Sequence, residues 1–137
     1  MICLDYGDKR IGVAVSDIDW QIASPLVVLQ SHGCFNGIFE IINEYCVLVV
    51  VVGLPISLGG KERGAQLEKV KKFIEKLNEL IEKKNIDVVI YSVDERFSTV
   101  AANRILENSG LSRTAKKRHV DKVAASFILQ GVLDRFI

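Results

Sequence analysis

Residues 47–53 read Val-Leu-Val-Val-Val-Val-Gly, and this run constrains the fold more than any other feature of the chain. β-Branched side chains are stiff at χ1 and favour extended backbone. A strand with one wet face alternates apolar and polar residues. This run does not alternate, so both its faces must be covered, which predicts a central strand of a parallel arrangement with helices on either side. Leu54-Pro55 ends it, because proline lacks the N–H that a continuing ladder needs.

The flanking pattern predicts that strand's neighbours. Ile2–Tyr6 reads as a strand and Gly7-Asp8-Lys9 as a tight turn. Residues 10–16 alternate, with Ile11, Val13 and Val15 on one face and Gly12, Ala14 and Ser16 on the other, so a hairpin with one large and one small face is expected. A third strand is expected near 24–30, and Phe35, Ile38, Phe39 and Ile42 have the spacing of a short helix over 36–44. Residues 57–64, Ser-Leu-Gly-Gly-Lys-Glu-Arg-Gly, read as a polar loop. Leu67, Val70, Ile74, Leu77 and Ile81 predict a long amphipathic helix, and Val88–Val93 a second buried strand. Ser98 is a good N-cap for a helix burying Ala101, Ala102, Ile105 and Leu106. Residues 110–118 read as a basic loop and 119–135 as the last helix. Three strands followed by helix, strand, helix, strand and two helices give an α/β class with a mixed sheet. At roughly 150 residues per domain, 137 residues make one domain, spanning 1–137.

Composition narrows the function. The chain is 49% hydrophobic and 26% charged, which excludes disordered, collagenous and disulfide-scaffold classes. The apolar run at 47–52 falls far short of the roughly 18 residues a spanning helix needs, and Asp5 interrupts the first apolar stretch, so neither a membrane span nor a signal peptide is expected. Cys3, Cys34 and Cys46 have no metal-type spacing, and Cys3 and Cys46, in or beside apolar runs, are expected to be buried thiols in a reducing cytoplasm. Eighteen basic against 17 acidic residues leave a net charge of +1, so any nucleic-acid binding must come from local patches.

Sites in open α/β sheets form at the carboxyl ends of parallel strands. Asp5 lies inside the first strand, where an acid is costly unless paired or metal-bound. Asp94 and Glu95 follow the strand at 88–93, and Asp121 falls in the first turn expected of the last helix, ahead of Ala124 and Ala125, which let that helix approach the sheet. Separate carboxylates of this kind suit a pair of divalent cations that clamp the attacking and leaving oxygens of a phosphodiester. Hard oxygen donors favour Mg²⁺ or Mn²⁺, and no Cys/His cluster argues for zinc.

These residues resemble the YqgF-type, or RuvX-like, branch of the ribonuclease H-like superfamily. The resemblance rests on Leu4-Asp5-Tyr6-Gly7, Lys9 through Asp17, Val52-Gly53-Leu54-Pro55, Asp94-Glu95-Arg96-Phe97-Ser98-Thr99, and Asp121 with Ala124-Ala125 and Ile128-Leu129-Gln130. It covers nearly the whole chain. It implies a ribonuclease H-like mixed five-stranded sheet, three antiparallel strands leading and parallel strands following, flanked by helices. It also implies a metal-dependent phosphodiesterase, a nuclease of pre-16S rRNA 5′ ends in ribosome biogenesis or a Holliday-junction-resolvase-like enzyme of DNA recombination. Asp5 matches the first catalytic aspartate and Asp121 the acid of the final helix. In the wider superfamily the second acid closes the fourth strand, yet here that strand ends Gly53-Leu54-Pro55. The resemblance then implies Glu95 or Asp94 from the next strand end, with Glu95 favoured for its reach.

Further residues could hold nucleic acid. Arg96 suits bidentate contact with a phosphate, or a salt bridge to Asp94 or Glu95. Ser98 and Thr99 suit donation to phosphate, or plain capping. Lys9, Arg10, Lys61 and Arg63 lie on expected loops, and Arg113, Lys116, Lys117 and Arg118 form the one dense basic run, leading into Asp121. His119 reads as a surface histidine, and Tyr6 and Trp20 as packed rings rather than base-stacking platforms. The partners expected are structured RNA or branched DNA and a ribosome-assembly protein, with the chain a monomer or homodimer. Two other classes compete. Asp5-Tyr6-Gly7 before a hairpin also resembles the phosphate-binding opening of sugar kinases and actin-like ATPases, which need two such domains around a cleft. A non-catalytic nucleic-acid-binding module needs no acids, whereas Asp5, Glu95 and Asp121 are all present.

Overall fold

The computed structural model describes residues 1–55, 61–94 and 113–136, with the side chains of 61–63, 113–121 and 136 left aside. Five strands form one sheet: β1 (Ile2–Tyr6), β2 (Arg10–Ser16), β3 (Ala23–Gln30), β4 (Val49–Leu54) and β5 (Val89–Asp94), in the order β3-β2-β1-β4-β5. β1 and β2 pair antiparallel, as do β2 and β3, whereas β4 runs parallel to β1 and β5 parallel to β4. Three helices are described: α1 (Cys34–Glu44), α2 (Lys61–Lys83) and α3 (Arg113–Leu133), the last running into a 3-10 turn at Asp134–Phe136.

β4 carries the fold as its composition demands. Val50 and Val52 join Ile2, Leu4, Ile11 and Val13 under α1 and α2, while Val51 faces the opposite way with Cys3 and Ala14 under α3. Burying each such side chain contributes about 1.5–3 kcal/mol relative to leaving it in water. The two faces of β2 explain how α3 fits. Its large residues meet α1 and α2, whose Ile38, Ile42, Val70, Phe73, Leu77 and Ile81 fill that layer. Its small face, with Ala14 fully buried, lies under Ala125, Ile128 and Leu129 of α3. Tyr6 and Trp20 are packed, Tyr6 against the Phe73 ring at 4.7 Å between centroids and Trp20 against the α3 layer.

Five expectations are corrected. Residues 61–64 open α2 rather than ending a loop, and 113–118 open α3 rather than forming one, because lysine, arginine, glutamate and alanine favour helix even where no apolar stripe marks it. Asp121 therefore lies well inside α3 and not in its first turn. β5 is not buried on both faces: as an edge strand it leaves Val89 63% and Tyr91 46% exposed, with Val93 its one buried residue. Cys46 is exposed and Cys34 buried, since Cys46 turns outward in a left-handed conformation (φ 51°) just past α1. The expected helix from Ser98 lies outside the described residues.

Candidate active site

Asp5 is the next-to-last residue of β1, half-buried, and paired with Gly12 on β2. On the other side, Leu4 pairs with Val52, so Gly53 is the next residue of β4 level with Asp5. Gly53 pairs in turn with Val93. The carboxylate thus rises from a row reading Gly12, Asp5, Gly53, Val93, with no side chain on either adjacent strand at its level. Cys3, two residues earlier, belongs to the layer beneath α3, so strand alternation puts Asp5 on the α3 side. The glycines were legible only as parts of a motif, because their shared level requires the strand register.

The turn after β1 holds this end of the strand. The Gly7 N–H donates to the Arg10 carbonyl at 2.9 Å, and the Gly7 carbonyl accepts from Ser31 Oγ at 2.6 Å. A Cβ on Gly7 would stand 2.7 Å from the Arg10 carbonyl oxygen, so the turn requires glycine. Lys9 is exposed on this turn and Arg10 is half-buried at the start of β2.

The remaining acids take different places. Asp94 closes β5 level with Leu54, whose side chain packs in the α1–α2 layer, and it also borders a hollow with Val93, Phe127 and Arg135. Asp121 lies in α3, one turn before Ala125, which is fully buried against the sheet. Glu95, Arg96, Ser98 and Thr99 lie outside the described residues. The side chains of Lys61, Arg63, Arg113, Lys116, Lys117, Arg118 and Asp121 do as well, although their backbones belong to α2 and α3. Among the described residues no group of three metal-ligating side chains comes together.

One basic pair escaped sequence reasoning. Lys69 and Lys72 border a concavity of about 290 Å³ with Tyr6, Cys34, Phe35 and Phe73, on the side of β1 opposite Asp5. Lys69 Nζ meets Asp8 at 3.0 Å, an exposed ion pair worth about 0–1 kcal/mol. Burial pushes the Cys34 thiol above its ordinary pKa and keeps it neutral. These lysines fall on the polar stripe of an amphipathic helix, where sequence alone shows a solvated face.

Comparison with known proteins adds the following. Residues 1–135 match the sequence profile of a family described as "RuvX: Holliday junction resolvase". A protein of Fusobacterium nucleatum subsp. nucleatum named "Putative pre-16S rRNA nuclease" is 49% identical over 136 residues, 97% of this chain and 95% of its own length. Among solved structures, T. thermophilus RuvC in complex with a Holliday junction substrate superposes with a TM-score of 0.55 at 14% identity, covering 99% of this chain and 95% of that one. The Fowlpox virus resolvase, solved with Holliday junction DNA, gives 0.52 at 17% identity, covering 100% and 99%. At such identities the last two show a shared fold, the ribonuclease H-like sheet flanked by helices.

Proposed function

The chain belongs to the RuvX family, and from that premise we propose that it is a metal-dependent endonuclease of structured nucleic acid that processes the 5′ end of pre-16S rRNA. The observation that carries this reading is the seat of Asp5. An acid is disfavoured inside a strand, and glycine stands at the level of Asp5 on both adjacent strands. The glycines leave room for a cation and a phosphate oxygen beside it.

Asp5, Glu95 and Asp121 form the proposed acid set. The position of Asp121 is supported by the anchoring of α3. Gln130 accepts from the Ala23 N–H at 2.8 Å and donates to the Gln21 carbonyl, next to the Met1 end of the sheet. Asp121 lies nine residues earlier, about 13 Å along a helix. Asp5 lies four residues along β1 from Met1, about 13 Å along a strand. The matching rises support a common level for the two acids. Glu95 is taken as the second acid for the reach of its longer side chain, with Asp94, which borders the hollow beside α3, as the alternative.

The donor set is all carboxylate and fits Mg²⁺ or Mn²⁺. Bound there, one or two such ions would supply Lewis-acid stabilisation of the charge that develops on the phosphate and its leaving oxygen. The chain's own residues do the rest. Arg96, Ser98 and Thr99 hold the scissile phosphate. Lys9, Arg10, Lys61 and Arg63, with Arg113, Lys116, Lys117 and Arg118 on the first turns of α3, grip the flanking backbone by charge. The backbone of the last four belongs to α3.

The test is a paired cleavage assay with Mg²⁺ or Mn²⁺, on a 5′-extended 16S precursor RNA and a four-way DNA junction. RNA cutting that disappears in Asp5→Asn is the expected result. Symmetric junction cutting would make the enzyme a resolvase and require a two-fold dimer. Failure on both substrates, with binding retained, would leave a non-catalytic module.

A further inference from the structure

Residues 11–60 contain no lysine or arginine, yet they hold Asp17, Asp19, Glu40 and Glu44. The fold gathers part of this segment at the end of β1 remote from Asp5. The loop between β2 and β3 and the turn between α1 and β4 meet there around a concavity of about 500 Å³. Met1, Ser16, Asp17, Trp20, Glu44, Tyr45 and Leu48 border it, and among the described residues no lysine or arginine does. Lys84, from the end of α2, lies instead over the Phe39 ring at 5.0 Å.

Three further observations mark this concavity. Its rim exposes large apolar side chains, with Ile18 at 96% and Leu48 at 60%. Ser16 Oγ is buried and has no hydrogen-bond partner among the described residues. Trp20 (φ 57°) and Cys46 (φ 51°) both adopt the left-handed backbone region, which is unfavourable for residues other than glycine and collects at ligand-binding positions. The loop is nonetheless firmly built, since the Asp17 carboxylate accepts from the Gln21 N–H at 2.7 Å and the Ile22 N–H at 3.0 Å.

We propose that this concavity docks a partner protein through a basic, apolar segment, with an arginine or lysine seated between Glu44, Asp17 and Ser16 Oγ. The Trp20 and Tyr45 rings suit a cation at their faces, and Ile18 and Leu48 receive the neighbouring apolar side chains. The charge of the site selects the partner: its carboxylates repel a phosphate backbone and attract a basic protein tail. Docking here leaves the Asp5 end of the sheet open. The inference does not depend on the nuclease reading.

The test uses the full-length, ¹⁵N-labelled chain titrated with a short synthetic peptide alternating arginine and leucine, and with its glutamate–leucine counterpart. The expected result is saturable amide shifts within residues 15–22 and 44–48, for the arginine peptide alone. Glu44→Lys, at an exposed position, should weaken binding about tenfold, or 1.4 kcal/mol, and Leu48→Ser should weaken it in the same direction with the spectrum otherwise unchanged. Shifts elsewhere, no saturation, equal binding of the glutamate peptide, or indifference to both variants would overturn the proposal. The same region shifting with a structured RNA would overturn it in favour of substrate contact. A wild-type dimer in sedimentation that Leu48→Glu converts to monomer would overturn it in favour of a second copy of the chain.

Discussion

The two ends of β1 are built from opposite materials. At its carboxyl end Asp5 stands among glycines, with Lys9 and Arg10 on the following turn and Lys69 and Lys72 on the neighbouring helix. At its amino end, Asp17 and Glu44 border a concavity ringed by Ile18, Trp20, Tyr45 and Leu48, with no lysine or arginine among the described residues that line it. A net charge of +1 conceals this division. Average charge describes neither surface. One end offers a carboxylate with cations around it, which suits a phosphodiester and its metal. The other offers carboxylates with exposed apolar side chains, which suits a basic protein.

The largest effect that would sharpen the contrast belongs to Asp5. Asp5→Asn keeps shape but removes the charge, so cleavage should fall by about 10³-fold, a barrier increase of about 4 kcal/mol. Thermal stability should change little, since asparagine keeps the shape of this half-buried side chain. Retained cleavage would place the chemistry elsewhere. A matching change at the other end, Glu44→Lys, should leave cleavage unaltered; a loss of activity there would erase the distinction between the ends.

Gly7→Ala tests how the active end is held. The added Cβ would meet the Arg10 carbonyl oxygen at 2.7 Å, and both are backbone-fixed. Overpacking of this kind costs about 1–3 kcal/mol, read as a lowered midpoint in urea. The turn carries Asp8 and Lys9 and adjoins Asp5, so cleavage should fall beyond what the loss of folded protein explains. Unchanged stability would show that the turn can relax without the glycine.

These effects also mark what sequence could disclose. β1 and β2 were legible to the residue, because alternation and a glycine turn leave one register. Asp5 was legible because an acid in an apolar strand is anomalous on its own. The level shared by Gly12, Asp5 and Gly53 was not, since it is created by pairing between strands far apart in the chain. The start of α3 was misjudged because its first turns carry charges and no apolar stripe, so only intrinsic propensity marks them. β5 looked buried because its apolar content matches that of β4 in part. Its place at the edge depends on which strands pair, which composition does not state. Lys69 and Lys72 were not singled out, because a lysine beside a concavity and a solvated one look alike on an amphipathic helix.

Lys72→Ala gives a smaller effect at the same end. Loss of one phosphate contact should weaken RNA binding a few-fold and reduce the slope of log K against log salt by about 0.7–0.9. Stability should barely change, because Lys72 is exposed. An unchanged slope would confine substrate to the α3 side of the sheet.

The smallest effect belongs to the opposite end and has a definite sign. The Ile22 and Gln21 N–H groups donate to the Asp17 carboxylate and hold its pKa below the usual aspartate value. A depressed folded-state pKa means that the charged form is favoured by folding. The associated stability is complete above the unfolded aspartate value, near 3.9, and is lost as pH falls through the lower folded value. Asp17→Asn should therefore be less stable than wild type by a margin that is constant at neutral pH and narrows only in acid. The carboxyl carbon of Asp17, followed by NMR, should titrate below the aspartates of the unfolded chain. If it titrates with them, the loop's backbone donors do not engage the carboxylate in solution, and the acidic rim of the concavity loses the rigidity that lets it present Ile18 and Trp20 to a partner.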